Sequence, residues 1–277
     1  MTVSAAGSQR PSQWRRQLHA RLGWAKQLLG GSKMWRLWRA RNLERRAMGP
    51  LAGPNEWSVI AAPTRAERNP SDEIVELAVR AIDCARAADL KELHERRPND
   101  AERLDRLAGQ HYRILAGLAQ AWGARKVVEV GTYRGTSALA LLEAPTVERL
   151  ITYDIVAWNQ FERSWFQDDD FGNRLEQRLV DLSEPAVFAA EAADLASADL
   201  IFVDASKDGV FEPTFLPTLF ALEPTGPQLI VLDDIRVLTM VRLWQEITLD
   251  KLDLTSFGHW SGTGIVVRGG FPPHLRD

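Results

Sequence analysis

A chain of 277 residues, 45% hydrophobic and 26% charged, can build one large core with room for an added segment, and its composition is that of an ordinary globular protein. The formal charge of −3 hides an asymmetry: eleven Lys and Arg against Glu44 give residues 1–50 about +10, leaving about −13 for the rest, and an acidic body gives no support to a nucleic-acid ligand. Cys84 is the single cysteine, so no internal disulfide forms; with no apolar run of membrane-span length and no secretory h-region, a cytoplasmic protein is expected.

Residues 1–50 form the first part, a basic, Trp-rich helical extension. Trp14, Leu18, Leu22, Ala25 and Leu29 recur at helical spacing, Gly30-Gly31 ends that helix, and a second runs from Ser32 to about Arg46. Such a basic amphipathic segment docks on the acidic body, contacts a second copy in a homodimer, or lies through residues 1–47 on an anionic membrane. Residues 51–99 form a linker and a helix. Pro50, Gly53 and Pro54 break the chain, Ser71 is an N-cap, and Ile74, Leu77, Ala78, Ala81 and Ile82 make one apolar stripe that Arg97-Pro98 ends.

The third part, residues 100–277, starts with a helix from Asp100 to Trp122, which carries Leu104, Leu107, His111, Leu115 and Leu118 on one side and is capped by Gly123. Strands are then predicted at Lys126–Val130, Leu150–Asp154, Gln177–Val180, Leu200–Asp204, Gln228–Leu232, Leu252–Phe257 and Gly264–Val267. Helices are predicted at Thr136–Glu143, Glu184–Ala193, Pro213–Leu222 and Val237–Leu249. The alternation predicts an α/β fold, a mostly parallel sheet with helices on both faces. The turn at His259–Thr263 is too short for a parallel crossover, so the seventh strand runs antiparallel.

The sharpest motif is Val127-Val-Glu-Val-Gly-Thr-Tyr-Arg-Gly-Thr-Ser137, a strand that runs through Gly131 and Gly135 into a helix. Glycines there let a ligand approach the backbone, and the helix start offers free N–H groups. The Gly-x-x-x-Gly spacing differs from the Gly-x-Gly-x-x-Gly of dinucleotide sites, and Glu129 suits a ligand with an ammonium group, which favours S-adenosylmethionine (SAM) over NAD. Asp154 ends the second strand 23 residues after Gly131, where a carboxylate accepts both ribose hydroxyls. Asp181 ends the third, where it can cap the helix starting near Ser183.

The stretch Glu129–Ser137 resembles the first motif of catechol and caffeoyl-CoA type O-methyltransferases, within the class I SAM-dependent methyltransferases. The resemblance implies a Rossmann-like seven-stranded sheet, with Glu129 and Ser137 contacting the methionine part of SAM, Gly131 and Gly135 leaving space for it, Tyr133 among the cofactor-binding residues, and Asp181 at the adenine. Segments from Ala157 to Trp260, above all Asp233–Trp244, resemble bacterial rhamnosyl and macrolide-sugar O-methyltransferases, so a small-metabolite or sugar hydroxyl is the expected acceptor.

At the reaction end, the fourth and fifth strands finish in Asp204 and in Asp233-Asp234, an all-oxygen set suited to Mg2+, Mn2+ or Ca2+. Asp204 also borders the expected cofactor site. The family's strand-five pair is usually Asp-Asn; here it is Asp-Asp, as in the sugar-modifying relatives, and Ser206 stands where an acid is common. Lys207 takes the proton of the acceptor hydroxyl if the site depresses its pKa, or else it is a surface lysine paired with Asp208. His259 is the alternative base and Trp260 a wall for the substrate. The long loop after Asp154, with Trp158, Phe161, Trp165 and Phe166, reads as a lid or as a dimer contact. Two other classes remain open: a nicotinamide-dependent oxidoreductase, and a non-catalytic protein of the SAM fold with a membrane-surface anchor.

Overall fold

The computed structural model describes residues 70–96, 111–172, 174–258 and 261–276. The expected helices of residues 1–50, the first turns of the helix from Asp100, and His259 and Trp260 lie outside the described residues.

Helix α1 (Asp72–Ala87) starts at Ser71, whose hydroxyl accepts the Ile74 N–H at 3.3 Å. The chain then breaks, where one continuous helix to Arg97 was expected. Ala88 turns extended, Asp89 accepts the Lys91 N–H at 2.9 Å, and a separate α2 (Lys91–Arg96) begins. An Asp that caps locally competes with helix continuation, and apolar periodicity cannot register that competition. Helix α3 (His111–Trp122) follows, with Gly123 in the left-handed conformation after it.

The sheet contains β1 (Lys126–Val130), β2 (Arg149–Asp154), β3 (Leu175–Leu179), β4 (Leu200–Val203), β5 (Gln228–Asp233), β6 (Asp250–Asp253) and β7 (Thr263–Arg268) in the order β3-β2-β1-β4-β5-β7-β6. β1 to β5 are mutually parallel, and β7 lies antiparallel between β5 and β6. This is the mostly parallel sheet with an antiparallel last strand that the short final turn required. The sixth strand is shorter than expected and begins earlier. Asp253 accepts the Thr255 backbone N–H at 2.8 Å and the Thr255 hydroxyl, which turns the chain before Phe257. The third begins two residues early, at Leu175.

Helices α4 (Thr136–Leu142), α5 (Pro185–Ala196), α6 (Phe211–Ala221) and α7 (Leu238–Glu246) complete the layers. Strand side chains alternate between two cores. Val127, Leu150, Leu200, Phe202 and Val231 meet α1, α3 and α4 on one face; Val128, Ile151, Ile201, Val203 and Ile230 meet α5, α6 and α7 on the other. Burial on both faces explains why β4 and the Leu229–Leu232 stretch of β5 are unbroken apolar runs. The carboxyl ends of β1, β2, β4 and β5 therefore open on one edge, where open α/β sheets bind ligands.

Candidate active site

Glu129 lies in β1 with no exposed surface. Its Oε1 accepts the Ser137 hydroxyl and its Oε2 the Thr152 hydroxyl, each at 2.5 Å. The Thr152 hydroxyl is also hydrogen-bonded to the neighbouring Thr132 hydroxyl, 2.7 Å away. Burial pushes the Glu129 carboxyl up to about 8; the two hydroxyl donors oppose this, and nearby Asp204 and Asp154 add to it. Gly131 follows at φ 106°, and a Cβ there would sit 2.0 Å from the Asp204 carbonyl oxygen. Only glycine lets β1 and β4 end so close together.

Asp154 accepts backbone N–H groups of Ile155 (2.7 Å), Val156 (3.0 Å) and Tyr133 (2.9 Å), and burial raises its pKa against these donors. Tyr133 itself is half exposed at φ 45°, with its ring 5.0 Å from that of Phe161. Asp181 accepts the Ser183 N–H at 3.0 Å and its hydroxyl at 2.6 Å, so it shapes the turn before α5, whose N-cap is Glu184. The aromatic loop after Asp154 folds back on the motif: Phe166 packs 2.5 Å from where a Cβ of Gly135 would lie, and Trp165 N–H donates to the Arg134 carbonyl at 2.9 Å.

Asp204 follows β4, Asp233 closes β5, and Asp234 sits next to it at φ 59°. Lys207 is buried, not superficial, and its partner is Asp204 at 2.6 Å with Asp234 at 3.6 Å; Asp208 instead accepts the N–H groups of Val210 and Phe211 at the start of α6. Burial pushes the Lys207 ammonium down, but Asp204, Asp234, Asp233 and Glu212 outweigh it and hold the group above the ordinary lysine range. The Asp234 Oδ1 accepts the Ser261 hydroxyl. Among the described residues, His111, Asp204 and Asp233 bring one ligand atom each to within 4.8 Å of the others, so an imidazole stands beside two of the three aspartates read from the sequence. An imidazole and two carboxylates fit a divalent cation.

Two residues of this region carried no functional signal in the sequence. His111 looked like one more position on an apolar helix face. Glu212, fully buried in α6, accepts the Lys207 backbone N–H at 2.8 Å and supports the left-handed turn there (φ 44°). A histidine on an otherwise apolar helix face, where a buried ring nitrogen needs a polar partner, is the one signal that could have marked His111.

The sheet order, with a glycine-containing β1–α4 turn and acids at successive strand ends, defines a class I SAM-dependent methyltransferase. The sequence profile of the O-methyltransferase family matches residues 82–241, more than half of the chain, and the chain belongs to that family. No curated protein matches it significantly. Among solved structures it is similar to the O-methyltransferase from Bacillus cereus in complex with SAH (19% identity, 69% of this chain and 98% of that one, TM-score 0.47). It is also similar to the SAH-bound Podospora anserina methyltransferase PaMTH1 (21%, 71% and 88%, TM-score 0.44). A third is the SAM-bound O-methyltransferase TomG from Streptomyces achromogenes, involved in tomaymycin synthesis (21%, 74% and 100%, TM-score 0.43).

Proposed function

We propose that this SAM-dependent O-methyltransferase methylates a hydroxyl of a small metabolite or sugar, with a divalent cation at the ends of β4 and β5. The observation that carries the reading is the crowding of acids on one sheet edge. Asp204 and Asp154 add to the burial that makes Glu129 costly to ionise beside Gly131, and Asp204, Asp233 and Asp234 surround Lys207. Such a site calls for cationic ligands, and SAM carries an ammonium and a sulfonium.

Glu129 and Ser137 then hold the methionine part, Asp154 accepts the ribose hydroxyls, and Asp181 faces the adenine. Gly131, Tyr133 and Gly135 shape the backbone beside them. Asp204 and Asp233, with Asp234, hold the cation. When bound, the cation lowers the pKa of a coordinated hydroxyl and fixes its direction. Lys207, kept as an ammonium, orients Asp204 and offers positive charge to a developing alkoxide. His259 is the alternative base. The basic segment docks on the acidic body or on a second copy, with membrane contact through residues 1–47 as the competing outcome.

Calorimetry with SAM and SAH tests the cofactor half. Asp154→Ala removes a charged acceptor worth about 1.5–3 kcal/mol, so binding weakens by roughly 10- to 150-fold. Equal binding by the variant rejects the ribose assignment, and absence of binding by the parent rejects the whole reading. Activity that survives exhaustive EDTA treatment rejects the cation.

A further inference from the structure

The reading above leaves the cation with oxygen ligands only, and the geometry around β5 offers something different. His111 lies in α3, is 6% exposed, and places its Nδ1 3.8 Å from the Asp233 Oδ1. Its ring is held between two others, edge-on to Tyr112 at 4.8 Å and tilted against Phe202 at 6.0 Å. A buried ring wedged in this way has little rotational freedom, so its nitrogens keep one direction relative to the strand ends. Asp204 completes a compact three-atom set with His111 and Asp233. Asp234, meanwhile, spends one oxygen on the Ser261 hydroxyl and turns the other toward Lys207.

We propose that His111 is a direct ligand of the divalent cation, together with Asp204 and Asp233, and that the site takes a first-row transition ion in preference to Mg2+ or Ca2+. The inference rests on the cation half of the proposed function. Imidazole is a borderline donor that suits Mn2+ through Zn2+, whereas Mg2+ and Ca2+ prefer oxygen alone. A neutral imidazole also costs less to bury than a third carboxylate and leaves the two-aspartate set just balancing a 2+ ion. The competing account is that His111 is only an ion-pair partner of Asp233 supporting the α3–β5 contact.

Pulsed electron paramagnetic resonance of the full chain loaded with Mn2+ separates the two. The expected result is nitrogen modulation from a coordinated imidazole in the parent protein, lost in His111→Gln. Mn2+ affinity falls about tenfold or more in that variant, and its preference over Mg2+ shrinks. SAH binding and melting temperature report whether the variant is folded. If it is not, His259→Gln decides from the other side: modulation that persists there supports His111, and modulation that vanishes there overturns the proposal. Mn2+ bound without nitrogen modulation overturns the role of His111 and leaves the cation reading intact. Failure of Mn2+, Co2+ and Mg2+ all to bind overturns both, while SAH binding would still uphold the cofactor site.

Discussion

Glu129 is the residue through which charge enters this fold. Its carboxyl is buried, satisfied by two hydroxyls, and pushed up to about 8 from 4.5. A raised folded value means that the carboxyl's contribution to stability is fully present below pH 4.5 and is lost as pH rises through about 8. The cofactor-free protein should therefore lose melting temperature between about pH 5 and pH 8.5, and Glu129→Gln should flatten that slope. An ammonium beside the carboxyl reverses the shift, so SAM binding near pH 7 should release a proton. Calorimetry in buffers of different ionisation enthalpy reads that release directly; a buffer-independent heat would move the ammonium away from Glu129.

Among the elements, the aromatic loop between β2 and β3 has the clearest mechanical attachment. Arg96 at the end of α2 grips Asp170 with two bonds, 2.6 and 2.9 Å, and donates to the Trp165 carbonyl at 3.1 Å. Both side chains are mostly buried, so the pair falls between exposed and buried ion pairs, at about 1–2 kcal/mol. Asp170→Ala should raise backbone hydrogen exchange across residues 155–171 and speed SAH dissociation, with little change in global melting. Unchanged exchange in that segment would show the loop to be held by its aromatic packing alone. The sequence displayed this loop's aromatics but not its latch, because α2 was merged into the preceding helix. Strands and long helices were legible because β4 and the Leu229–Leu232 stretch of β5 are continuous apolar runs and Thr136–Leu142 follows a glycine turn. The end of β6 was not, since it depends on the Asp253–Thr255 turn and not on hydropathy.

At the scale of the whole molecule, what sequence reasoning could reach was one sheet edge and the acids on it. Asp154 and Asp204 announced themselves by ending a predicted strand, Asp233 by following one, and Glu129 by standing just before the glycine turn. His111 did not, because its relation to Asp233 spans 122 positions of chain and exists only after α3 packs on the sheet. The charge division of the chain has its own consequence: removal of residues 1–47 should change the mass in light scattering or lower the melting temperature without affecting vesicle co-sedimentation. Loss of vesicle binding with unchanged mass would instead assign the segment to a membrane. Finally, the two ends of the described domain meet. Ser71 donates its N–H and its hydroxyl to Asp250, and Arg80 reaches the His274 carbonyl at 2.9 Å. The antiparallel β6–β7 hairpin thus pins α1, the first helix among the described residues, from the far end of the domain. Its apolar face can be covered by α3 soon after both are made, whereas the Asp250 and His274 contacts that close the domain form only once the last strands have left the ribosome.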